Sequence, residues 1–156
     1  MTTTDQVKAW LARYGSIARE IALLEARADA LRTRETSPAS PTLDGMPRAP
    51  GFAGDRIGGM VGAIDRIEQE VKEKRREAAV VYNEIDAALH QISGPHAAER
   101  RTVLQCRYLD GTQWTDVAFL LFGDKDDFNE REESYGRRVF NIHKAALQDL
   151  AQVLGL

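Results

Sequence analysis

The sequence predicts an all-α protein: a long N-terminal antiparallel helical hairpin of coiled-coil type over residues 1–94, then a small C-terminal helix-turn-helix domain over residues 95–156. Two apolar seams advancing in steps of three and four residues predict the long helices. A stretch rich in proline and glycine separates them, and after Pro95 the seams give way to short helical patterns.

The first helix is expected over about residues 5–35. Val7, Trp10, Tyr14, Ile17, Ile21, Leu24, Ala28 and Leu31 form its seam. Asp5 is placed to cap the first-turn amides, and Arg32 and Arg34 suit the carbonyl end. Gly15 opposes the helix at about 1 kcal/mol. Residues 36–54 carry Pro38, Pro41, Pro47 and Pro50 with Gly45, Gly51 and Gly54, and are expected to be a loop. The second helix, over about residues 55–93, follows Ile57, Met60, Ile64, Ile67, Val71, Lys74, Ala78, Val81, Ile85, Ala88 and Ile92. It ends at the breaker Ser93-Gly94-Pro95. At 1.5 Å per residue the two helices would be roughly 45 and 55 Å long. Neither narrow stripe is satisfied alone, so the helices fold back on each other or pair between chains, which makes a homodimer through the hairpin one expectation. Lys74 in the seam is read as a lysine reaching out to water.

Beyond Pro95, residues 97–109 carry Val103, Leu104, Cys106 and Tyr108, and Asp110-Gly111 signals a turn. Trp114, Val117, Ala118 and Leu121 form one apolar face of a short helix closed by Gly123. Residues 123–133 form an acidic insert, and a last helix is expected to start near Ser134 as its cap and to bury Tyr135, Val139, Ile142, Ala146, Leu150 and Val153. Three short helices in this order match a helix-turn-helix. On the last one, Arg137, Asn141, Lys144 and Gln148 share a side, with Arg138 beside Arg137. Arginine suits guanine edges or phosphates, asparagine adenine and lysine a phosphate, although a solvated helix face has the same pattern.

Composition narrows the function. A hydrophobic fraction of 43% and a charged fraction of 29% are those of a folded chain, and the polar start with no long apolar run predicts no membrane partner and a cytoplasmic location. The net charge of −3 means that any DNA contact must come from a local basic face. The lone Cys106 is expected to be a small buried side chain. Counted from Asp124, a calcium loop fails: Phe128 and Asn129 stand where a ligand and the glycine belong, and Tyr135 takes the twelfth place. His90, His96, His143 and Cys106 lack zinc-finger spacing, with His143 read as a helix-surface or DNA-flanking residue. Nucleophile elbows and phosphate-binding glycine loops are absent too, so neither catalysis nor a metal or other cofactor is expected.

The run Arg107-Tyr108-Leu109-Asp110-Gly111, then Trp114-Thr115-Asp116-Val117-Ala118, and later residues 137–147 from Arg137-Arg138-Val139 to Leu147, resembles phage-encoded late transcription regulators of the ArpU/RinA type. Their C-terminal part is similar to region four of sigma factors, and Asp44-Gly45-Met46-Pro47-Arg48 resembles the loop between their two N-terminal helices. The resemblance implies a sequence-specific regulator of late genes in a phage or prophage, working on double-stranded DNA in a bacterial host, with RNA polymerase as an expected partner. It further implies that Trp114 and Thr115 open the supporting helix, and that Ser134 to Lys144 meet DNA, with Ser134, Arg137, Arg138, Asn141, His143 and Lys144 as contacts. The insert 123–133 departs from the three- or four-residue turn of a compact helix-turn-helix. Its acidic side chains would be repelled by phosphates and should point away from DNA. Two rival readings remain: an interaction or assembly protein carried by the hairpin, and a small DNA-packaging, terminase-like subunit, which would form a ring.

Overall fold

The computed structural model describes residues 1–36 and 52–156, with backbone alone for residues 35–36 and 52–57. All described regular structure is helical: α1 (Thr3–Thr36), α2 (Phe52–His90), α3 (Ala97–Leu104), a π turn (Gln105–Leu109), α4 (Trp114–Phe122) and α5 (Glu132–Leu154). Among the described residues there is no strand, and no helix is long and apolar enough to cross a membrane. Most of the expected loop, residues 37–51 with its prolines and the Asp44–Arg48 run, lies outside the described residues. Its two ends are helical instead, because α1 runs on to Thr36 and α2 starts at Phe52 and carries Gly54 within it.

The start of α1 corrects the expected cap. Thr2 rather than Asp5 is the cap: its hydroxyl accepts from the Asp5 amide at 3.1 Å, while Asp5 Oδ2 accepts from the Thr2 amide at 3.2 Å. This reciprocal pair satisfies two first-turn donors at once. The Thr2 hydroxyl also donates to Asp5, and these bonds hold the Asp5 carboxyl below its usual range.

Internal contacts divide the chain into two units, Met1–Ser16 with Ala78–Leu156 and Ile17–Glu77, whereas the sequence pattern draws its boundary at 94/95. In the second unit, Ala28, Ile67 and Val71 are buried, with Ile21, Leu24 and Leu31 packed against them. Ion pairs flank this strip: Arg32 with Glu68, Arg75 with Glu25, and Lys74 with Glu20 at 3.0 Å. Lys74 also approaches Glu77 at 3.5 Å, and these carboxylates raise its pKa. The seam lysine therefore reaches out of the apolar strip, as its flexible stem allows.

In the first unit, α1 meets α2 through Arg13 and Glu84 at 3.0 Å and through the edge-on rings of Tyr14 and Tyr82. Val7, Leu11, Ile85 and Leu89 are fully buried there. Arg101 on α3 donates to the carbonyl oxygens of Leu89 and Ile92, satisfying acceptors at and just beyond the end of α2. α5 packs against both α3 and α4, and Arg100 ties α3 to Asp149 of α5 at 2.7 Å. The core between these helices contains Val103, Cys106, Val117, Ala118, Phe122, Phe128, Tyr135 and Val139. Cys106 is buried as expected, and burial raises its thiol pKa, with Asp110 adding to the effect.

Candidate nucleic-acid interface

The segment that positions the start of α4 begins with a widened helical turn. The Asp110 amide reaches back five residues to Gln105 O at 3.0 Å, and the Thr112 amide donates to Cys106 O at 2.8 Å. Such π turns re-aim side chains that a regular helix would place elsewhere. Gly111, at φ +70, then turns the chain in the left-handed region that costs other residues energy. The Arg107 side chain donates to Thr112 O at 3.0 Å, and its guanidinium lies 4.8 Å from the centre of the Trp114 ring. Trp114 and Thr115 are the first residues of α4, and Gln113 before them supplies no side-chain cap. The amide end of α4 thus carries its positive partial charge beside a guanidinium.

On α5, Arg137, Arg138, Asn141, Lys144 and Gln148 are all exposed. Arg137 and Lys144 make no ion pair among the described residues, so both cations face water on the polar side of the helix. Arg138 differs from them. Its guanidinium lies 4.7 Å from the Phe122 ring centre and 5.6 Å from that of Tyr135, beside a shallow cleft lined by His96, Glu99, Arg100, Asn141 and Ile142. Arg138 is therefore held by stacking as well as being exposed.

Two expectations need correction. α5 begins at Glu132, with Arg131 at the cap position and no side-chain cap bond, so Ser134 is an exposed residue of the first turn and not the cap. The carboxylates of Glu132 and Glu133 supply the first-turn negative charge that the helix dipole favours, and they belong to α5 rather than to the insert. The second correction is His143, which is buried at 8% exposure rather than placed on the surface. Its Nε2 lies 3.0 Å from the Tyr108 hydroxyl, and the Trp114 ring packs edge-on against it at 4.9 Å. Burial lowers its pKa to about 4, and Lys8 and Arg107 push in the same direction. The imidazole is neutral at pH 7 and packs against Trp114.

The geometry also brings forward residues the sequence did not single out. Phe140 is 51% exposed and packs against Trp114 at 4.8 Å, placing an apolar ring between Arg137 and Lys144 along α5. Lys8 and Arg107 act electrostatically on His143, both disfavouring its protonation. Arg107 lies in a motif quoted for the resemblance, whereas nothing in the spacing of Lys8 marks it. The insert is anchored rather than loose: Phe128 is buried and stacks on Tyr135 at 5.8 Å, and the Tyr135 hydroxyl donates to Asp127 at 2.5 Å. That bond lowers the Asp127 pKa and raises that of Tyr135.

Among the described residues, no group of three or more His, Cys, Asp or Glu side chains stands where it could hold a metal ion. Compared with protein-family models, with curated proteins and with solved structures, the chain has no match.

Proposed function

We propose that the chain is a sequence-specific DNA-binding transcription regulator of a phage or prophage, in which α1 and α2 are the arms of an antiparallel hairpin and α4 and α5 the two helices of a helix-turn-helix. The observation that carries this reading is the outward face of α5, where Arg137, Asn141 and Lys144 are exposed, the two cations have no ion pair among the described residues, and Phe140 leans on the tryptophan that opens α4. Arg137 and Asn141 have the donor geometry for guanine and adenine edges, and Phe140 suits a thymine methyl. Lys144, Arg107 and the start of α4 suit phosphates. Control of late genes and contact with RNA polymerase rest on the motif resemblance alone.

The test is binding of the purified protein to DNA from its own genomic neighbourhood, titrated against salt beside an unrelated fragment. One fragment should bind tightly above a salt-sensitive background. Arg137→Ala should weaken that complex by about 1–3 kcal/mol, and Lys144→Ala should weaken all fragments alike. Arg138→Ala should weaken binding too, but it also removes a stack on Phe122 and Tyr135, so its helicity and melting are measured alongside. No fragment binding above background would reject the regulator reading.

A second reading, an interaction or assembly protein built on α1 and α2, is favoured by one observation. Residues 17–77 leave a groove of about 400 Å³ with Ala28, Ile67 and Val71 on its floor and Glu25, Asp29, Arg32, Glu68 and Arg75 on its rim. Light scattering separates the regulator from the packaging-subunit rival: a regulator is a monomer or a dimer through the hairpin, and a packaging subunit is a ring.

A further inference from the structure

Phe119 and Leu120 are neighbours on the outward face of α4, and they remain 63% and 62% exposed. Asp116 precedes them by one turn, so the three side chains form a single patch. The Phe119 ring is held in place. It packs edge-on against Phe128 at 5.7 Å and lies over Gly123, where an added Cβ would run into the Phe119 carbonyl oxygen and come within 2.9 Å of two ring carbons. That approach explains the glycine, since a Cβ there would collide with the Phe119 carbonyl oxygen as well as the ring. The backbone after Gly123 is fixed as well, through buried Phe128 and the Tyr135–Asp127 bond. Asp124, Asp126 and Glu130 on this segment are exposed, and only Lys125 and Arg131 oppose them. The result is an ordered apolar pair with an acidic border.

We propose that this patch docks a basic amphipathic helix of a partner protein, with leucine-like residues covering Phe119 and Leu120 and lysine or arginine residues meeting Asp116, Asp124, Asp126 and Glu130. Charge complementarity selects the occupant. Nucleic acid and anionic lipid are repelled by the border, and a second copy docking through the same patch would bring like charges together. A helix fits better than an extended peptide, because the described residues offer no strand edge to pair its backbone, and a helix satisfies its own amides. The inference does not rest on the DNA reading, since Phe119, Leu120, Asp124, Asp126 and Glu130 are not among the proposed DNA contacts.

The experiment uses the full chain and two fluorescent model helices, one of leucine and lysine in the 3–4 pattern and one in which glutamate replaces lysine, read by anisotropy near physiological salt. The lysine helix should bind and the glutamate helix should not. Phe119→Ser with Leu120→Ser should weaken binding by at least about tenfold, because two large apolar side chains lose their burial. Leu120→Ser alone, at an exposed position, should weaken it severalfold with unchanged circular dichroism. Asp124→Asn, Asp126→Asn and Glu130→Gln together should weaken it and flatten its salt dependence. Equal binding of the two helices, or lysine-helix affinity unchanged by the serine variants, overturns the proposal, the second outcome leaving only diffuse attraction to acid. A fall in DNA affinity or in self-association in the serine variants, with helix binding intact, overturns it in favour of those occupants.

Discussion

Residues 17–77 bury Ala28, Ile67 and Val71 in one narrow strip bordered by ion pairs, whereas residues 97–154 bury side chains from α3, α4, α5 and the segment between α4 and α5 in one contiguous core. Both regions are helical, and both obey the spacing of an apolar stripe. The difference lies in how many sides of each stripe are covered. Two helices can cover a seam from only one direction, so their border is left to exposed ion pairs, which contribute little each. Three or more helices enclose a residue on all sides, and there burial stabilises at its full value. The comparison predicts where stability concentrates, and also why the candidate contacts are mounted on α4 and α5, the rigid part.

The largest expected effect follows from truncating the enclosed core. Phe122→Ala, at a buried position of that core, should cost about 4 kcal/mol in chemical denaturation. Ile67→Ala should cost less, about 2–3 kcal/mol, because its surroundings can collapse or admit water. Amide exchange after Ile67→Ala should rise within residues 17–77 and stay slow in α3 and α5. Equal losses at the two sites would break the distinction between strip and core.

Next in size is a pH effect confined to the enclosed region. His143 binds a proton less readily folded, with a pKa near 4, than unfolded, with a value near 6.5, so the unfolded chain takes up more protons between these limits. Stability is therefore full above about pH 6.5 and is lost as the pH falls toward 4, by about 2 kcal/mol between pH 7 and pH 5. Melting curves across that window should show the loss, and His143→Gln should flatten it. A pH-independent midpoint in the wild-type chain would mean that the imidazole is solvated.

Smaller effects test the long helices. An added methyl at Gly15 meets nothing within 4 Å, so Gly15→Ala should stabilise by about 0.5–1 kcal/mol through helix propensity, seen as a raised melting temperature. Glu25→Gln should change stability by less than about 0.5 kcal/mol and reduce its salt dependence, since its pair with Arg75 is exposed. A larger loss would mean that the border, and not the strip, holds residues 17–77 together.

Much of the fold was legible because its signals are local. Trp114–Phe122 is a helix with the bounds its apolar spacing and Gly123 predict, and Gly94 and Gly111 turn the chain where the breakers stand. Tyr135, Val139, Ala146 and Leu150 are buried on α5 as the stripe requires. Their period is a property of the helix itself, so it needs no partner to be read.

The candidate interface was less legible. Arg137, Asn141 and Lys144 are exposed on one side as the helix period predicts, but His143 is not. It follows Val139 by four residues and precedes Ala146 by three, which places it on the apolar face, yet only the Tyr108 hydroxyl across from it explains why a polar ring is tolerated there. Leu11 is likewise fully buried although it lies outside the expected seam. Sequence alone thus determined the helical class, the bounds of α4 and the polar face of α5, because these follow from residue spacing and backbone propensity. Tertiary structure alone decided the support of Trp114 by Arg107 and His143, the anchoring of the acidic segment by Phe128, and the exposure of Phe119 beside it. Each of these depends on which side chain stands opposite, a fact that no single segment carries.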